Sequence, residues 1–125
     1  MINDIKISKD FLLSEFQSPD THTVKLDPRL VNLNQAFRDK VGIPYTPNSA
    51  YRTPEHNKRV GGSPKSQHLA GKAIDIPLLK GYTIEEMAGI AEELGFTGIG
   101  LYQNFIHVDT REEKARWDFR DKEGA

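Results

Sequence analysis

The sequence predicts an α+β fold: a small, mainly antiparallel sheet with helices packed on it. Three observations carry this expectation. Helix-start signals recur at Asp27-Pro28, Thr53-Pro54 and Thr83-Ile84-Glu85-Glu86. Residues 71–78 alternate, with Ala73 and Asp75 on one face and Ile74 and Ile76 on the other. Two apolar runs, 99–102 and 105–109, flank Gln103-Asn104 as the arms of a hairpin would.

Taken in order, residues 8–16 place Phe11, Leu12, Leu13 and Phe16 among polar positions and read as a short helix or turn plugged into the core. Residues 17–25 are polar and read as a loop. Asp27 as N-cap and Pro28 at the first helical position then open a helix. Its stripe is Leu30, Leu33, Phe37 and Val41, and Gly42 ends it as a left-handed cap. Residues 43–52 read as extended, confined by Pro44 and Pro47 to an edge or irregular strand. Thr53-Pro54 opens a short helix through Arg59, and residues 61–64 form a turn. After the strand at 71–78, the capping box at Thr83 starts a helix that buries Ile84, Met87, Ala88, Ala91 and Leu94 and stops at Gly95. The stretch from Arg111 is charged, with Trp117 and Phe119 as anchors and a frayed end.

The chain has 125 residues with neither repeat nor low-complexity segment, which reads as one domain over 1–125. The formal net charge of -1 gives no bulk electrostatic reason to expect nucleic acid as a partner. No apolar run approaches a membrane span, so membrane insertion is not expected. With no cysteine, disulfides and thiolate ligands are excluded, and any metal must be held by His, Asp, Glu or water.

The residues that carry chemistry form two clusters. Ser66-Gln67-His68-Leu69-Ala70-Gly71-Lys72-Ala73-Ile74-Asp75 supplies His68 and Asp75, and Ile106-His107-Val108-Asp109 supplies His107. Two imidazoles and one carboxylate are a ligand set that holds Zn2+ and leaves a position open for water. Asp75 lies on a strand and His107 on the second arm of the hairpin. If those strands pair, their side chains on one face come within about 5 Å. The loop before the first strand brings in His68, Gly71 lets the backbone turn, and Ala73 leaves room beside Asp75.

The same segments, with Ser49-Ala50-Tyr51-Arg52, Asn57, Val60-Gly61-Gly62 and Phe11-Leu12-Leu13-Ser14-Glu15-Phe16, resemble the zinc D-Ala-D-Ala carboxypeptidase family. That family includes the phage L-alanyl-D-glutamate endolysins, and the Hedgehog signalling domain shares its fold. The resemblance runs from about residue 11 to about residue 117. It implies a Hedgehog/DD-peptidase-like fold and zinc held by His68, Asp75 and His107.

The resemblance also implies that Arg52 faces the cleft, where it would bind a substrate carboxylate or a developing oxyanion; its other role would be a structural salt bridge. Ser66 would bond the peptide backbone or cap its own loop. Many relatives carry an acidic residue three positions before the last ligand, or a His two before it. Here those positions are Asn104 and Phe105, so the general base departs from the pattern. Asp109 shares the face of His107 and is the substitute, either as base and proton donor or as a group that orients a ligand. His56 and Glu15 are distant alternatives, and His22 receives no role. Tyr45, Tyr51, Tyr102 and Trp117 would line a groove or pack the core.

The expected function is a zinc metallopeptidase, of carboxypeptidase or endopeptidase type, acting on peptidoglycan stem peptides or cross-links. The rival is a catalytically silent zinc-containing module that binds peptidoglycan or a protein. The first residues, Met1-Ile2-Asn3-Asp4-Ile5-Lys6, carry no apolar h-region, so a signal peptide is not expected in them. The expected setting is a phage or prophage lysin released to the cell wall, or the bacterial cytoplasm pending export. A monomer is expected, although residue pattern alone leaves the oligomeric state open.

Overall fold

In the computed structural model, which describes residues 2–120, the helices begin where the caps direct. Asp27 accepts from the Arg29 amide, Pro28 supplies the fixed φ of a first helical residue, and α1 runs Pro28–Val41. Gly42, at φ 69, closes it. Thr53 accepts from the His56 amide and opens α2, Pro54–Arg59. Thr83 and Glu86 form a reciprocal capping box at the start of α3, Ile84–Leu94.

Residues 8–16 meet the helix-or-turn expectation only at their end, since a strand pair comes first. A hairpin of β1 (Lys6–Ser8) and β2 (Phe11–Leu12) precedes a single 3-10 turn, Leu13–Phe16. The Glu15 carboxylate accepts from the Leu12 amide and the Thr46 hydroxyl, which anchors one turn and no more. Phe11 and Phe16 are buried, as the plug required.

The main sheet contains β3 (Ala73–Pro77), β4 (Gly98–Leu101), β5 (Phe105–Asp109) and β6 (Ala115–Asp118), in the order β3-β5-β4-β6. The β3–β5 and β4–β5 pairs are antiparallel. The β4–β6 pair is parallel, and β6 is a strand where only a charged end with anchors was expected. Its Ala115 and Trp117 are half-buried while Arg116 and Asp118 turn outward, a period of two masked by flanking charge. Residues 43–52 stay irregular, touching β3 through one bridge between Ser49 and Asp75.

Register divides the sheet into two faces. One carries Ile74, Ile76, Ile99, Ile106 and Val108 against Leu30, Phe37, Met87 and Ala91 of α1 and α3. Burying one such aliphatic side chain contributes roughly 1.5–3 kcal/mol. The other face is polar. Across it run two rows, Asp75–His107–Gly100–Trp117 and Ala73–Asp109–Gly98–Ala115. The expected fraying of the last residues falls on 121–125, outside the described residues. Among the described residues, no helix is long and apolar enough to cross a membrane.

Candidate metal centre

His68 stands on a 3-10 turn, Gln67–Ala70, rather than in an open loop. Ser66 Oγ accepts from the His68 amide at 3.2 Å and starts the turn. Gly71 ends it at φ 70, and a Cβ there would overlap the Lys25 carbonyl, so this corner requires glycine. The Nδ1–H of His68 donates to the Ala50 carbonyl at 2.7 Å. That bond assigns the proton to Nδ1 and leaves the Nε2 lone pair turned toward the sheet.

Asp75 and His107 are direct partners in the β3–β5 register. Asp75 Oδ1 lies 3.3 Å from His68 Nε2 and 3.3 Å from His107 Nδ1. On its other edge, His107 Nε2–H donates to Asp109 Oδ2 at 2.7 Å, which leaves its Nδ1 lone pair facing Asp75. Three electron-rich atoms therefore converge within 4.8 Å of one another with no proton between them. Among the described residues, Asp75 Oδ1 is the buried side-chain atom with no hydrogen-bond partner, because both neighbouring nitrogens present lone pairs. A tetrahedral ion with bonds of about 2.0–2.1 Å places its ligand atoms about 3.3 Å apart. The donor set and spacing fit zinc.

The same convergence sets the charges. Burial opposes ionisation of Asp75, but once His107 carries a proton the neighbouring imidazoles outweigh it and hold the carboxyl well below the usual range. Burial likewise opposes charge on His107, and the Asp109 and Asp75 carboxylates outweigh it and raise its pKa. A positive charge is favoured between these groups, and a metal ion or a proton on His107 supplies it.

Asp109 lies behind the His107 ring, on the side away from Asp75. Its side chain is fully buried. Arg111 grips it through Nε at 2.9 Å to Oδ1 and Nη2 at 2.6 Å to Oδ2, and the Arg111 amide donates to Oδ1 at 3.1 Å. Burial opposes its charge, but His107 and Arg111 hold its carboxyl far below the ordinary range. Both oxygens are occupied. The shared strand face read from the sequence holds, but the rotamer points at the outer edge of His107. Gly98 makes this possible, since a Cβ there would overlap the Asp109 carboxylate. Gly100 does the same for Trp117, whose ring leans to 5.0 Å from His107 and donates from Nε1 to the Tyr102 hydroxyl at 3.0 Å.

An open cleft of about 640 Å³ lies over this face. Arg52 lines it, with Nε on Ser49 Oγ at 3.1 Å, Nη1 on Asn57 Oδ1 at 3.2 Å and Nη2 3.7 Å from Asp75 Oδ2. Ser66, Tyr102 and Trp117 line it too. Tyr45 sits in the core, its hydroxyl on Asn34 Oδ1, and Tyr51, His56, Glu15 and His22 do not line the cleft. The residue reading missed Arg111, Gly98 and Gly100. Two glycines in mid-strand opposite His107 and Asp109 were the available signal, because interior strand glycines mark close approach.

A buried His–Asp–His triad with both imidazoles fixed from behind, at the floor of an open cleft, is a group that could hold a metal ion, with the donor set of the open zinc sites of hydrolases. The family model of Peptidase M15 matches residues 9–109, and the chain belongs to that family, the zinc peptidases of D-Ala-D-Ala carboxypeptidase and endolysin type. No curated protein matches the chain.

Proposed function

We propose that this chain is a zinc metallopeptidase that hydrolyses peptide bonds of peptidoglycan stem peptides or their cross-links. The observation that carries the reading is the unpartnered Asp75 Oδ1 between two imidazole lone pairs in a cleft whose charged lining is otherwise Arg52, Lys65 and Arg111. Such a lining favours a substrate bearing carboxylates, as stem peptides do.

His68, Asp75 and His107 would hold the metal through Nε2, Oδ1 and Nδ1. When bound, zinc supplies Lewis-acid polarisation of the scissile carbonyl and lowers the pKa of a water. Ala50 and Asp109 keep the two imidazoles in the tautomers that leave those nitrogens free. Arg52, braced by Ser49 and Asn57, offers its guanidinium to a substrate carboxylate or to the developing oxyanion. Ser66 caps its own turn through Oγ, and its place in the cleft lining also sets it beside a bound peptide. Asp109 is assigned to orient His107 rather than to take a proton from water, because its oxygens face Arg111 and His107.

The proposal extends to a soluble setting at the cell wall, as a lysin or an exported bacterial protein, acting as a monomer in one domain. Purified peptidoglycan and synthetic stem peptides are the substrates to test. Release of new amino groups by the parent and none by His107→Ala supports the reading, and intact hydrolysis by His107→Ala refutes it.

One observation favours a binding module instead. Among the described residues that line the cleft, Asp75 is the sole carboxylate, so no other acid faces the cleft to shuttle a proton. Retention on peptidoglycan with no cleavage of any stem peptide by the zinc-loaded chain would establish that second reading.

A further inference from the structure

We propose that Arg111 is a positioning residue for the metal centre: through Asp109 it locks the His107 ring with Nδ1 toward Asp75, and so sets how tightly the centre holds a divalent cation. The inference rests on the proposed metal site and adds a residue outside its three ligands.

Arg111 lies two residues beyond the end of β5 yet turns back to meet Asp109 with a paired contact, Nε to Oδ1 at 2.9 Å and Nη2 to Oδ2 at 2.6 Å. Asp109 in turn accepts from His107 Nε2 at 2.7 Å. A guanidinium, a carboxylate and an imidazole thus stand in line behind Asp75 Oδ1. The carboxylate is fully buried, so without the Arg111 side chain it would keep, among the described residues, only its bonds to His107 and to the backbone amide of residue 111. A planar fork fixes the plane of a carboxylate in a way that one amide does not, and the plane of Asp109 fixes the ring angle of His107.

Trp117 closes the assembly from the cleft side. The Arg111 guanidinium carbon lies 5.1 Å from the Trp117 ring centroid, and that ring is 5.0 Å from His107. Arg111 therefore touches both neighbours of the His107 ring, Asp109 by hydrogen bonds at its edge and Trp117 by a cation–π contact. A residue that merely finished a strand would not need either contact.

The test is zinc affinity, read by competition with a chromogenic chelator on the full chain, for the parent, Arg111→Ala and Arg111→Lys. Outer partners of metal-bound imidazoles typically contribute at least about tenfold in affinity, and Arg111→Ala should lose that much, with Arg111→Lys intermediate. The second readout is the His107 tautomer in the metal-free chain in alkaline buffer, from long-range nitrogen–proton NMR correlations. The parent should show the proton on Nε2, and Arg111→Ala a mixture. Should Arg111→Ala fail to fold, Arg111→Lys and the parent tautomer carry the test. Unchanged zinc affinity in the soluble variants, or a parent tautomer with the proton on Nδ1, overturns the proposal. A parent that binds no zinc at all overturns the metal site itself, a failure visible before any substitution.

Discussion

Asp75 Oδ1 faces His107 Nδ1 across the β3–β5 ladder at 3.3 Å, yet no hydrogen bond joins them. Each presents a lone pair, because His107 has committed its proton to Asp109 on the opposite edge. The expectations below follow from this relationship and from the elements that impose it.

Metal content is the first. The parent chain, purified without chelator, should carry about one zinc, and the His68→Ala/His107→Ala double variant none, by elemental analysis. Removing the metal should also lower the melting temperature. At free zinc a hundredfold over Kd, binding stabilises by about 2.7 kcal/mol. An equal melting temperature with and without chelator would contradict the site.

Substitution of Gly98 tests the packing behind the site. In Gly98→Ala the new methyl must displace the Asp109 carboxylate, and overpacking of this kind costs about 1–3 kcal/mol. Denaturant unfolding should show that loss, accompanied by weaker zinc binding. A full-strength variant would mean that Asp109 has room the structure denies it.

Arg52→Ala should reduce kcat/KM on stem peptides by roughly 10²–10³ if the guanidinium meets the developing oxyanion. Arg52→Lys should not restore the rate, since an ammonium cannot reproduce the fork braced by Ser49 and Asn57. A rise in KM with kcat intact would assign Arg52 to ground-state binding of a carboxylate instead.

The metal-free chain should be most stable on the mildly acidic side of neutrality. Asp75 and Asp109 have folded pKa values below their unfolded ones. Their contribution is present above the unfolded value of about 3.9 and is lost as pH falls through the folded values. His107 is raised in the folded state. Its contribution is complete below about 6.5 and is lost as pH rises through the folded pKa. Calorimetry across pH in chelator should show a decline on both sides, and a maximum in alkaline buffer would refute this balance.

Ile106→Ala should destabilise by about 2–5 kcal/mol, because Ile106 is wholly buried on the helix-facing side of the sheet. Chemical denaturation would measure it.

The local signals were sufficient for all three helices, because a cap and a stripe are read within a few neighbouring residues. The alternation about Asp75 and the paired runs about Gln103-Asn104 likewise foretold β3, β4 and β5, and their pairing brings Asp75 opposite His107. Sequence by itself thus determined the helices, the antiparallel core of the sheet and a His–Asp pair on its polar face with His68 just before it. The tertiary structure decided the rest. Nothing local marks β6 as a parallel partner of β4, since parallel strands are joined by no tight turn. Nor does spacing reveal which edge of His107 an acid two residues away will meet. That depended on Gly98 making room across the sheet and on Arg111 folding back over Asp109, contacts between segments whose chemistry emerges only when they meet in space.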